Sequence, residues 1–364
     1  MSRIRVAVIG VGHLGKEHAR ILAGMDDVEL AGVADVNPQQ AEMVAFRCQT
    51  QAYTDCNELV DEVDAAVIAV PTSCHREVSS AFLERGIACL VEKPLAPTLA
   101  DALAIEHLAR RTGAILQVGH IERFNPAWEE LMGRPLRPKL INSERLAPFS
   151  GRGTDVGVVA DLMIHDLDLV LSAVASPIVH VEAVGVSVLG QHEDMVQARL
   201  RFENGSVAHL RSSRMHPTGS RRMQLWGAEG FADIDFARRS LTLMQPSDQL
   251  QAMHLGLVRL DSGTLASLKG NLHSRHLQSL TLDCVRPCDQ LTSELHDFVR
   301  AVRMGETPRV TGEDGCRAVA AAERVIQAVA AHRWDGTASG PVGPFHLPAS
   351  QGQLFTPTAD EAVA

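Results

Sequence analysis

Residues 10–15 read Gly10-Val11-Gly12-His13-Leu14-Gly15, and they follow directly on a short β-branched run at residues 5–9. A buried strand, glycines spaced G-x-G-x-x-G, and helix-forming residues from Lys16 onward leave few ways to fold. Gly10 permits a tight turn, Gly12 lets backbone approach a ligand, and Gly15 lets the next helix pack close on the strand. The N–H groups at that helix start lack internal partners. Together with the helix dipole they favour an anion, here the pyrophosphate of a dinucleotide. His13 and Leu14 sit inside the turn and are expected to line it. Asp35 stands twenty residues past Gly15, at the end of a second strand (29–35), where a carboxylate can hold ribose hydroxyls. A carboxylate there repels a 2′-phosphate, and Val36 and Asn37 supply no cation, so NAD is expected rather than NADP.

The pattern around this turn repeats. Strand-like runs at 5–9, 29–35, 65–70, 88–91 and 114–118 alternate with helical stretches at 16–25, from Asn37-Pro38, at 77–85 and at 99–111. That alternation predicts an α/β Rossmann domain, a doubly wound parallel sheet, over residues 1–120. A chain of 364 residues is too long for one such core. Past Gly119 come a helix at 125–132, a Pro-rich link at 134–138, a strand at 140–146 and a helix at 158–173. Alternating segments follow at 179–189, 195–202, 206–214 and 223–227, with Asn204-Gly205 as a hairpin turn, then helices at 294–304 and 313–332. The expectation is a substrate-binding and oligomerisation α+β domain over 121–335, its sheet large and mostly antiparallel, with helices on one face. An irregular tail would occupy 336–364.

Composition removes some classes of function. A net charge of −10 with no basic face argues against a generic nucleic-acid binder. The seven cysteines are odd in number and scattered, which fits reduced thiols. Cys284 and Cys288 have no partner pair at zinc-like spacing, so no metal is expected. The apolar start has some likeness to a signal peptide, but it is short, breaks at the glycines and lacks a cleavage site. No stretch nears the ~20 apolar residues of a membrane span. A cytoplasmic protein without membrane insertion is expected.

Ligands of open α/β sheets bind outside the carboxyl ends of the strands. Pro71, Thr72 and His75 follow the third strand at that edge. His75 either touches cofactor or is a solvated histidine at a helix start. Glu92-Lys93-Pro94 closes the next strand on the same edge. Glu92 falls beside the cofactor there, and Lys93 can donate to a substrate hydroxyl or a developing oxyanion. A Lys-Pro at a strand end is also an ordinary turn. Asp161 and His165 are four apart and share one face of a helix. The imidazole can accept an alcohol proton as hydride leaves, with Asp161 orienting it or positioning substrate. A mutually satisfied structural pair has the same spacing.

Taken together, the glycine turn, Glu92-Lys93-Pro94 and Asp161-x-x-x-His165 followed by Asp166 and Asp168 resemble the Gfo/Idh/MocA oxidoreductases. Residues 291–315, with Glu294, Phe298, Pro308 and Asp314-Gly315, extend the resemblance, which spans about 3–335. It implies that Lys93, Asp161 and His165 form a catalytic group, and their joint presence argues against a non-catalytic NAD(H)-sensing protein. A finer resemblance lies in Gly119-His120-Ile121-Glu122-Arg123-Phe124-Asn125-Pro126 and in Asp161-Leu162-Met163-Ile164-His165-Asp166. These are similar to the branch that oxidises the 3-hydroxyl of UDP-N-acetylglucosamine to a ketone, which a partner aminotransferase converts to the 3-amino sugar of lipid A. The resemblance implies a sugar-nucleotide substrate held by Lys93, Arg123, Asn125, Asp161 and His165. Arg123 would meet substrate phosphate or the cofactor amide, or else form a surface salt bridge; Asn125 would meet the sugar or the nicotinamide. His165 would act as base with Lys93 stabilising the alkoxide, or the two would exchange roles. Inositol, a free sugar or another UDP-sugar remain substrates within the same family. An exposed sheet face in the second domain needs cover, which predicts a homodimer or homotetramer.

Overall fold

The computed structural model describes residues 3–151, 156–248, 250, 261–348 and 350. The first sheet has six parallel strands: β1 (Ile4–Ile9), β2 (Val28–Ala34), β3 (Gln51–Tyr53), β4 (Ala65–Ile68), β5 (Ala88–Glu92) and β6 (Leu116–Gly119). Their order is β3-β2-β1-β4-β5-β6, the doubly wound arrangement that reverses direction between β1 and β4. That reversal opens a crevice at the carboxyl edge, where Gly10, Val70 and Lys93 all emerge. Val6, Val8, Ala65, Val67 and Leu90 are fully buried because helices cover both faces. These helices are α1 (Gly15–Ala23), α2 (Pro38–Cys48), α3 (His75–Leu83) and α4 (Leu99–Thr112). Helix α2 starts where Asn37 accepts from the Gln39 and Gln40 N–H groups and Pro38 takes a position needing no donor. Strand β3 escaped the sequence reading because three residues carry no usable period.

A turn at Ile121–Phe124 and helix α5 (Pro126–Met132) lead into the second sheet. Its strands are β7 (Leu140–Leu146), β8 (Ile178–Val186), β9 (Met195–Phe202), β10 (Val207–Ser213), β11 (Ser220–Gly227), β12 (Gly230–Asp235), β13 (Ser240–Pro246) and β14 (Leu277–Asp283). The order is β14-β13-β12-β11-β7-β10-β9-β8, and every pairing is antiparallel except β7 with β10. The sequence reading found four of the strands after β7 and missed β12 to β14. One face is apolar: Ile141, Ala198, Leu200, Leu210, Met223, Leu225 and Ile234 are buried there. The other face presents Gln197, Arg199, His209, Arg211 and Arg222 to solvent.

Helix α6 (Ile164–Val174) packs on the apolar face after a π-helical turn, Val159–Met163. The single regular helix expected at 158–173 is therefore two conformations in series. The remaining helices are α7 (Ser262–Asn271), α8 (Gln290–Met304) and α9 (Gly312–Ala331). Leu295, Phe298 and Val299 of α8 join the same apolar cluster as Val6, Val8 and Leu22. Helix α9 lies against α4, α6 and β8, so it touches both sheets' coverings. The described part of the expected tail is irregular, and it folds back: the Trp334 indole donates to the Gly343 carbonyl at 2.9 Å. Residues 351–364 of that tail lie outside the described residues. No helix among the described residues is long and apolar enough to cross a membrane.

Candidate active site

The glycine turn is built as its spacing requires. Gly10 has φ +81°, and a Cβ there would stand 2.8 Å from the Ala69 backbone. A Cβ on Gly15 would lie 1.8 Å from the Gly10 carbonyl oxygen. At Gly12 a Cβ would meet nothing within 4 Å, so the space above the turn is open. Helix α1 starts at Gly15 with no side-chain cap, so its N-terminal end and dipole face that space. His13 and Leu14 are exposed on the turn. Asp35 follows β2 with one carboxylate oxygen accepting from Val11 N–H and the other from Asn37 N–H, both at 2.9 Å. Each oxygen keeps a lone pair for a ribose hydroxyl. An open cradle at a helix N-terminus beside an anchored carboxylate fits a dinucleotide.

The next two strand ends make the floor. Pro71 is exposed and Thr72 half-buried in a short turn before α3. His75 is not solvated: it is buried, with Nδ1 2.9 Å from the Pro94 carbonyl and Nε2 3.0 Å from the Val70 carbonyl. Burial lowers its pKa against the pull of these carbonyls; the neutral ring donates to one of them and packs against the other, between the loops after β4 and β5. Glu92 is likewise buried and accepts from His18 of α1 at 2.8 Å, with its second oxygen accepting from Lys93 N–H. Burial alone would raise the Glu92 pKa, but the His18 hydrogen bond and the His18 and Lys93 charges outweigh it and lower it. Glu294 of α8 completes a buried group with His18 and Glu92, in which one side-chain nitrogen or oxygen of each lies within 4.8 Å of the others. Its carboxyl is pushed well above the usual range by burial, then by the Glu92 and Asp297 charges, so the proton sits on Glu294.

Lys93 crosses to the second domain. Its Nζ donates to the Asp161 carbonyl at 2.7 Å and to the Asp161 carboxylate at 3.2 Å. Asp161 lies in the π-helical turn, so the sequence expectation that it orients His165 gives way to a different pairing: its acceptors hold Lys93. An ammonium has three donors, and the third is left for a ligand. His165 opens α6 with Nδ1 sealed from solvent and unpartnered. Its pKa lies well below the ordinary value, first through burial, then through the Lys93, Arg145, His120 and Arg221 charges. The imidazole is therefore neutral, with a lone pair free to take a proton.

Two buried ion-pair groups hold this geometry. Arg123 forms a two-pronged pair with Asp168 of α6 at 2.6 and 2.8 Å, and reaches Asp314 at 3.6 Å. The expected surface pair or phosphate contact is instead an interior tie. Arg145 of β7 donates to Glu122 and to Asp166, each at 2.8 Å. Asn125 is fully buried: it caps α5 through Ala127 N–H and donates to the Phe236 carbonyl at 3.1 Å. Its side chain is spent on the fold, which corrects its expected place beside the sugar or nicotinamide. Sequence reasoning brought Lys93, Asp161 and His165 together. It passed over His18, Arg145 and Arg221, because each acts through a partner tens of residues away and no local spacing marks them.

A Rossmann crevice with an open phosphate cradle, bordered by a lysine and a neutral histidine, defines an NAD-binding oxidoreductase. Residues 4–120 match the family model described as an oxidoreductase family with an NAD-binding Rossmann fold, and residues 135–233 match the GFO/IDH/MocA C-terminal domain. The chain is 35% identical to UDP-N-acetylglucosamine 3-dehydrogenase of Acidithiobacillus ferrooxidans over 91% of its own length and 99% of that protein. A solved structure of that enzyme superposes with TM-score 0.78 at 33% identity, covering 90% of this chain and 98% of that one. It is 28% identical to scyllo-inositol 2-dehydrogenase (NAD(+)) of Bacillus subtilis over 86% of this chain and 90% of that protein. Levoglucosan dehydrogenase in complex with NADH shares the fold, with TM-score 0.75 at 19% identity over 90% of this chain and 97% of that one. The chain belongs to the Gfo/Idh/MocA family.

Proposed function

We propose that this chain oxidises the 3-hydroxyl of UDP-N-acetylglucosamine to the 3-keto sugar. The observation that carries the reading is the 35% identity to UDP-N-acetylglucosamine 3-dehydrogenase, which extends over 91% of the chain and includes both domains. Bound NAD⁺ supplies the hydride acceptor. His165 takes the hydroxyl proton, because burial and nearby cations keep its ring neutral. Lys93, steadied by Asp161, directs its remaining N–H at the developing alkoxide. Arg123 and Asp168 fix α6, and with it His165, against the Ile121–Phe124 turn. Exchanging the roles of Lys93 and His165 uses the same atoms. The product ketone would pass to an aminotransferase making a lipid A-type 3-amino sugar, in a cytoplasmic setting. A homodimer or homotetramer would set the open face of the second sheet against a second copy, through polar rather than apolar contacts.

Inositol oxidation is the second reading, favoured by the 28% identity to scyllo-inositol 2-dehydrogenase. A free sugar or another UDP-sugar falls in the same test, and an NAD(H) sensor would turn over none. NADH production with UDP-N-acetylglucosamine, with an aminotransferase drawing off the ketone, is set against cyclitols and free sugars. Turnover of the sugar nucleotide at the highest kcat/KM supports the proposal; preference for a cyclitol overturns it.

A further inference from the structure

Strand β11 places two adjacent arginines on opposite faces of the second sheet. Met223 and Leu225 are buried on the inner face, so Arg221, two residues before Met223, points the same way. Arg222 faces the other side, where it borders a shallow surface depression with Asn142 and His209. Arg221 pairs in register with Arg145 of β7, and both lie on the inner face. The two then diverge. Arg145 is buried and saturated by Glu122 and Asp166. The Arg221 side chain is 58% exposed, and its carboxylate neighbour among the described residues, Glu122, stands 4.0 Å away and is already spent on Arg145.

Arg221 nonetheless lies beside the reacting centre: it stands opposite Arg145 and 4.0 Å from Glu122, and Arg145 ties Glu122 to Asp166, the residue after His165; its charge adds to those that disfavour a protonated His165. The other cations acting on His165 are engaged: Lys93 by Asp161, Arg145 by its two carboxylates. Arg123 is likewise held by Asp168 and Asp314. Arg221 differs from these: it is largely exposed, and it shares its carboxylate, Glu122, with Arg145. A phosphate accepts a guanidinium fork bidentately. In a nucleotide sugar the phosphate hangs on C1, two ring carbons from C3, within one arginine's reach of a base at the 3-hydroxyl.

We propose that Arg221 binds the diphosphate of the nucleotide sugar and so selects nucleotide sugars over neutral polyols. The assignment rests on the sugar-nucleotide reading above. It places the diphosphate over the β7–β11 edge, with the Arg145 group beneath as a rigid base.

The test uses the whole enzyme with Arg221→Gln and Arg221→Lys. Three quantities are measured: UDP affinity by calorimetry, kcat and KM for UDP-N-acetylglucosamine, and NAD affinity. Arg221→Gln is expected to weaken UDP binding and raise KM by roughly tenfold or more. NAD affinity and melting temperature should hold, and Arg221→Lys should recover part of the loss, since a single ammonium keeps the charge without the fork. Unchanged UDP affinity in Arg221→Gln, with wild-type enzyme turning over UDP-N-acetylglucosamine, overturns this assignment alone. Wild-type enzyme that neither binds UDP nor oxidises the nucleotide sugar overturns the substrate reading with it.

Discussion

Gly12 and Gly15 differ in what surrounds them, and their alanine variants should separate binding from folding. At Gly12 a methyl meets no protein atom within 4 Å, and the backbone there is not in the left-handed region. Alanine loses less entropy on folding than glycine, so Gly12→Ala should change stability by at most about 1 kcal/mol, in the favourable direction. The methyl occupies the approach of the pyrophosphate. Losing one backbone hydrogen bond to a charged group costs about 1.5–3 kcal/mol, or about 10- to 150-fold in Kd for NAD. At Gly15 the methyl would stand 1.8 Å from the Gly10 carbonyl oxygen and 2.8 Å from its carbon. Backbone must move to relieve that, at about 1–3 kcal/mol or more. NADH fluorescence titration gives the first effect, and thermal unfolding without cofactor gives the second. The reasoning fails if Gly12→Ala binds NADH as wild type does, or if it melts as low as Gly15→Ala.

Lys93→Ala should cut kcat by roughly a hundredfold or more while NAD affinity stays within about twofold, because the side chain reaches the second domain rather than the cradle; near-normal turnover sinks its role. The acid limb of kcat/KM should lie well below pH 6.5, since burial and the Lys93, Arg145, His120 and Arg221 charges all favour neutral His165; a limb at or above 6.5 that His165→Gln removes would contradict this. Glu294 has a raised folded pKa, so its contribution to stability is present below the unfolded carboxyl value and is lost as pH rises. Glu294→Gln should therefore gain on wild type between pH 5 and 8 in urea unfolding, and a pH-independent difference would refute the neutral carboxyl. Arg145→Met strands Glu122 and Asp166 without their cation and should cost about 3–5 kcal/mol by the same assay; a loss under about 1 kcal/mol would mean the pair relaxes to water.

What was legible in the sequence is what neighbouring residues decide among themselves. The glycine turn, Asp35 at the end of β2, the alternation of strands and helices, and Lys93 after β5 are local statements, and each landed where its spacing put it. The misplacements share one cause. Asn125 and His75 are polar residues at the carboxyl edge of a binding sheet, where a ligand contact and a backbone tether look alike in one dimension. In the fold, the Phe236 carbonyl meets Asn125, and the Val70 and Pro94 carbonyls meet His75. Strands β12 to β14 were lost for a related reason. Their alternation is weak on the partly exposed flank of the sheet, and each takes its register from the strand before it: β12 from β11, β13 from β12 and β14 from β13.

The chemistry follows the same division, and its decisive part is tertiary. That His165 exists four residues after Asp161 says nothing of which form of the ring is present. Its neutrality comes from burial on α6 together with charges supplied by β5, β7 and β11 and the His120 segment. Those elements arrive from five separate stretches of chain, and the Glu122–Arg145–Asp166 and Arg123–Asp168 ties are what make the assembly rigid. Lys93 and Arg145 already have close carboxylate partners, so of the cations acting on His165 it is Arg221 whose pairing is weakest. The alkoxide that forms as hydride leaves, and the diphosphate proposed for Arg221, are both negative. The site is therefore complementary to a substrate that brings negative charge in and develops more as it reacts.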